Sequence, residues 1–183
     1  MFKNFIRKRL PEQNEFYAVL AIVVFVVFGW SMRGFLHEVP SFINYFRVGQ
    51  ILAIFAYMMG FALLESLLVT FGLGLLSLIL PVPWFRNGFI YKSFITLLVG
   101  GGAMLWLENT IMSWNNRFPP VELLLAFAGV TVGLWVVLLL LFHYIKPLQK
   151  ALLFIADRIG VMAYLYVPLG LLGLVVVLLR NLW

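Results

Sequence analysis

The chain of 183 residues has the length of one average soluble domain, yet 64% of it is hydrophobic and only 11% charged, against about 45–50% and about 25% in soluble proteins. With a mean hydropathy of +1.05, disorder and a soluble enzyme fold are both excluded, because a soluble chain of this size still exposes roughly a third of its surface to water. The absence of cysteine and the presence of only two histidines remove disulfides, thiolate metal sites and cysteine nucleophiles, and leave little from which to build a triad.

The composition therefore predicts an all-α, polytopic transmembrane helical bundle in one integral membrane domain, residues 1–183. The expected spans are 16–32, 48–80, 89–112, 121–145 and 160–179, with four or six spans as the alternatives. Each is judged against about 30 Å of hydrocarbon at 1.5 Å per residue. Span 1 follows Glu12 and Glu15 and ends before Arg33. The basic run ahead of it, Lys3, Arg7, Lys8 and Arg9, imitates a signal peptide, and Gly29-Trp30-Ser31 a weak cleavage pattern. Bulky Trp30 and Met32 with Arg33 beyond them favour a retained signal anchor. The following segment, 34–47, with His37, Glu38, Pro40, Phe42, Tyr45 and Phe46, has the aromatic, amphipathic character of chain lying among head groups.

Span 2 would reach roughly 50 Å as one helix and must tilt or project before Pro81 and Pro83 stop it. It holds one charge, Glu65. An ionised side chain near the centre of an apolar run costs about 2.5–3.5 kcal/mol on insertion scales. Glu65 should then be protonated or partnered from another helix or a watery cavity. Its own face carries Met58, Phe61, Leu68 and Gly72.

Small residues let helix backbones meet in lipid. Gly49, Ala53, Ala56 and Gly60 form one narrow stripe on span 2, and Ser66, Thr70, Gly74 and Ser77 a second. Span 3 contains Gly100-Gly101-Gly102, which reads as a close crossing or a break lining a cavity. Glu108 and Asn109, near Trp106 and Trp114, lie toward its outer end, where head groups solvate them. Span 4 has Ala126, Gly129 and Gly133 in a small-residue pattern, with His143 near its inner end. A stretch at 147–159, with Leu148, Leu152, Ile155 and Ile159 on one side, reads as a helix lying in the interface. In span 5, Ala163, Gly170 and Gly173 surround Pro168, which should kink it.

Positive charge sets orientation. With the N-terminus inside, Lys3, Arg7, Lys8, Arg9, Arg86, Lys92, Lys146, Lys150 and Arg158 are cytoplasmic, and Arg33, Arg47, Arg117 and Arg180 outside. The basic balance thus belongs to span ends and lipid head groups, so the lipid bilayer is the expected partner and nucleic acid is not. This favours a bacterial-type cytoplasmic membrane with the C-terminus outside.

No zinc-protease, nucleophile-elbow, phosphate-loop or paired-carboxylate pattern is present, so no enzyme is expected. No motif implies a cofactor. A haem held by His37 and His143 is disfavoured because they fall on opposite sides; His143 as a single axial ligand to a pigment or haem shared with another subunit is a minor alternative. Two functions remain. One is a non-catalytic membrane subunit or assembly scaffold that packs against other membrane proteins or its own copies. The other is a small proton- or cation-coupled transporter or channel built on Glu65, with His143 and Glu108 as further polar candidates.

Overall fold

The computed structural model describes residues 9–82, 84–113 and 119–182; Lys3, Arg7, Lys8, Pro83, Trp114 and Arg117 lie outside the described residues. Five long helices follow one another: α1 Gln13–Tyr45, α2 Val48–Ile79, α3 Phe89–Ser113, α4 Val121–Tyr144 and α5 Lys146–Leu182. All five are long and apolar enough to cross a membrane, and the protein is a polytopic helical bundle.

Two helices are longer than their apolar cores. Span 1 was expected to end at Met32, but α1 continues through Arg33 and Pro40 to Tyr45, so residues 34–45 are helix and not an irregular surface segment. Polarity ends an apolar run without ending a helix. Here Arg33 lies 5.4 Å from the Trp30 ring, and Phe35 packs on Phe42 and on Phe55 of α2. Pro40 removes one backbone donor, and the surrounding turns hold the helix across it. Likewise, the separate interfacial helix expected at 147–159 is the first third of α5, which runs unbroken from Lys146 to Leu182. Pro147 sits in its first turn, where proline is tolerated. Gly160 alone does not stop a helix flanked by Ala, Leu and Ile.

The helix ends show why the chain turns where it does. The Glu15 carboxylate accepts the Glu12 N–H at 2.8 Å, opening α1, and Gln50 accepts the Arg47 N–H at 2.9 Å, opening α2. These satisfy donors that a helix start leaves orphaned. Pro81 follows α2, and its carbonyl accepts the N–H groups of Trp84 and Phe85. Gly88 has φ +82°, a conformation open to glycine. A Cβ there would also strike the Tyr91 ring at 1.9 Å. Between α4 and α5, the Gln149 amide donates to the carbonyls of Phe142 and His143 at 2.6 and 3.0 Å, closing the end of α4.

The chain divides into two compact units, Met1–Asn87 with Ile155–Trp183, and Gly88–Phe154. In the first, α1 and α2 run antiparallel, with Phe16 at Gly74 and Phe35 at Phe55. Val24, Phe28, Met59, Ala62 and Leu63 form the core, with Tyr166, Leu169 and Leu174 of α5 packed on it. Moving along α2 from Tyr57 to Leu63, the α5 neighbours fall from Asn181 to Gly170, so α5 is antiparallel to α2. In the second unit α3 pairs with α4. Trp135 Nε1 donates to Thr96 Oγ1 at 2.9 Å, and Trp106 stacks on Phe127 at 4.0 Å.

Candidate functional site

In the first unit, polar side chains collect at two levels along α2. At one, the Tyr57 hydroxyl donates to Asn181 Oδ1 at 3.0 Å and Arg180 lies 5.8 Å from the Tyr57 ring. The α1–α2 register brings Arg33 to about the same level. At the other, Arg9 donates to the Leu78 carbonyl at 2.8 Å, Ser77 donates to the Arg9 carbonyl at 3.0 Å, and Glu15 pairs with Arg86 at 2.7 Å. From Tyr57 to Ser77 the helix rises about 30 Å, the thickness of a bilayer's hydrocarbon core. The apolar slab lies between these layers.

Glu65 sits inside that slab, about 12 Å along α2 from Tyr57 and about 3 Å from its middle. Its side chain is exposed and forms no hydrogen bond or ion pair among the described residues. It therefore points away from the core. The expected partner helix or internal cavity is not supplied by the chain's own first unit. Its neighbours on the same stripe are exposed too: Phe61 at 63% and Leu68 at 72%. Gly72 has open space where a Cβ would be.

The small-residue positions separate by environment. Ala56 and Gly60 lie against α5, where a Cβ on Gly173 would come within 2.5 Å of the Ala56 oxygen and 2.8 Å of the Gly60 nitrogen. Ala53 is half-buried, whereas Gly49 is exposed with nothing near its Cβ position. Ser66, Thr70 and Ser77 are fully buried. Ser66 and Thr70 return their hydroxyls to the carbonyls of Ala62 and Ser66 at 2.6 and 2.8 Å. This leaves a smooth, internally satisfied face.

In the second unit, Gly100, Gly101 and Gly102 lie in unbroken helix, and none has an atom within 4 Å of its Cβ position. Among the described residues the glycine run therefore makes no close crossing, and its helix is unbroken. Gly102 instead lines a groove of about 550 Å³ between α3 and α4, with Val99, Trp106, Ala126, Val130 and Thr131. Gly129 and Gly133 also face open space. Glu108 and His143 are exposed and far apart in the fold, on α3 and at the end of α4. His143 contacts the Tyr144 ring edge-on at 5.3 Å. His37 stands 3.5 Å from Glu38 on α1. Among the described residues, no three His, Asp or Glu side chains converge as metal ligands would.

No protein-family profile, curated protein or solved structure matches the chain. The site is read from geometry alone.

Sequence reasoning missed several polar contacts. Lys92, expected at a span end among lipid head groups, lies in the first turn of α3 but is only 2% exposed, with its Nζ 5.6 Å from the Tyr91 ring. The Glu15–Arg86 pair joins residues far apart in the chain, and Arg9 reaches across to the end of α2. The one available signal was that these charges all fall at the same predicted membrane surface.

Proposed function

We propose that the protein is a non-catalytic integral membrane subunit or assembly scaffold, whose outward faces pack against partner membrane proteins or further copies of itself. The observation that carries this reading is the exposure of α4. Within its most apolar window only 6% of residues are buried by the chain, against 33% in α1 and 39% in α2. Lipid covers an apolar helix well, but it gains nothing from a face whose backbone is bared at Gly129 and Gly133. A second helix does gain, through close van der Waals contact.

We place the protein in a bacterial-type cytoplasmic membrane, N-terminus inside and C-terminus outside, on the distribution of Lys and Arg. The antiparallel order of α1, α2 and α5 supports this alternation. Reporter fusions after Arg86 and Lys150 should read cytoplasmic, and a C-terminal fusion the opposite side. A transport role for Glu65 has less support, since its side chain is exposed on an outward surface of its unit.

Purification in mild detergent tests the subunit reading. The expected result is a defined assembly larger than one chain, lost in the Gly129→Leu, Gly133→Leu double variant. Leu138→Ile with Leu139→Ile should keep the assembly. Because Gly129 and Gly133 have open space at their Cβ positions among the described residues, the double variant should retain wild-type helicity. A stable lone chain in the wild type, or an assembly indifferent to the glycine substitutions, would refute the reading.

A further inference from the structure

We propose that the stripe of α2 centred on Glu65 is the seat for a partner membrane helix carrying a lysine or arginine near the middle of its span. This rests on the subunit reading and names the chemistry of one partner. Glu65 is level with the centre of the slab bounded by the Tyr57–Asn181 and Arg9–Ser77 layers, on the outside of its unit, with no partner among the described residues. Lipid tails offer such a carboxyl neither a donor nor a counter-charge. A cation buried in a neighbouring helix has the complementary need, and joining the two removes both costs at once.

The described cations in the first unit of a second copy do not meet that need. In the first unit, Arg33 and Arg180 stand at the Tyr57 level, about 12 Å from Glu65 along the axis. Arg9 and Arg86 belong to the opposite layer. Arg158 is about 18 Å along α5 from Gly170, which packs on Leu63. Arg47, at the start of α2, is about 27 Å from Glu65 along the axis. Among its described residues, the first unit of a neighbouring copy lying level in the bilayer would therefore present no cation at the right depth.

The surface fits a helix. Phe61 and Leu68 rise on either side of Glu65 on one stripe, and Gly72 leaves a notch beyond Leu68 where a crossing backbone can approach. The flexible stem of a lysine or the fork of an arginine can reach the carboxylate from such a crossing.

The test uses the full chain, donor-labelled, in phosphatidylcholine vesicles. Acceptor-labelled transmembrane peptides of about 23 Leu/Ala residues, identical except for a central Lys, Leu or Asp, serve as partners. The wild type should associate with the Lys peptide at least ~10-fold more tightly than with the Leu peptide. Glu65→Gln and Glu65→Leu should lose that preference, and Glu65→Lys should transfer it to the Asp peptide. Glu108→Leu, on α3, should leave it unchanged. Helicity and monodispersity of each variant in detergent are measured alongside, and the outward position of Glu65 predicts that they match wild type. Equal association with Lys and Leu peptides would overturn the proposal. So would a preference that survives Glu65→Leu, or Glu65-dependent association of the chain with its own copies in place of the Lys peptide. If the peptide preference fails while the detergent assembly persists, only this inference falls. If the preference holds and no assembly exists, the subunit reading falls by itself.

Discussion

Replacing Gly173 by alanine should loosen α5 from α2, and its cost follows from the geometry. The added Cβ would stand 2.5 Å from the carbonyl oxygen of Ala56 and 2.8 Å from the backbone nitrogen of Gly60. Both neighbours are main chain in the middle of a helix, so no rotamer change makes room. Restoring an ordinary contact of about 3.5 Å requires α5 to retreat by about 1 Å. Overpacking of this kind costs about 1–3 kcal/mol. The retreat should also stretch the hydrogen bond from Tyr57 to Asn181, which is 3.0 Å long and worth about 0.6 kcal/mol if typical of bonds between membrane helices. Equilibrium unfolding in mixed micelles, followed by tryptophan fluorescence and helicity, gives the stability difference. Gly101→Ala, whose new methyl meets nothing within 4 Å among the described residues, is the matched control for intrinsic helix preference. In the Gly173→Ala background the further change Asn181→Ala should cost less than it does in wild type, because its bond is already weakened. A Gly173→Ala protein as stable as Gly101→Ala, with the Asn181→Ala cost unchanged, would show that the α2–α5 approach is not this close.

Three further outcomes are expected. Gly88→Ala should destabilise by about 1–3 kcal/mol, since it combines φ +82° with a collision against the Tyr91 ring; adding Tyr91→Ala should recover part of the loss but not the backbone strain, as read by the same unfolding assay. Trp135→Phe should cost about 0.6–1.7 kcal/mol by removing the donor to Thr96, and Thr96→Val should add little to it in a double-mutant cycle. Arg86→Met should weaken the hold between the start of α1 and the loop after α2 by leaving the partly shielded Glu15 unpaired, at about 1 kcal/mol; the loss should shrink at high salt, where screening weakens the wild-type pair.

Hydrophobicity alone determined the five crossings, because an apolar run long enough for the bilayer has no alternative but to satisfy its backbone within one helix. Thus 48–80 and 121–145 were legible nearly to the residue. The far ends of α1 and the start of α5 were not: Arg33 and the polar residues at 147–159 change the solvent a helix prefers without changing its ability to be a helix. Which small residues meet was equally hidden. Ala56 and Gly60 touch α5 while, among the described residues, Gly129, Gly133 and the run at Gly100 have open space at their Cβ positions, because glycine permits a close approach and does not choose the helix that makes it. Glu65 shows the same division. Sequence placed it at mid-depth through its distance from the ends of an apolar run. Only the packing of α1 and α5 on the side of α2 away from Glu65 decided that its carboxyl points outward, since a period of 3.6 residues says which residues share a face but not which face is covered.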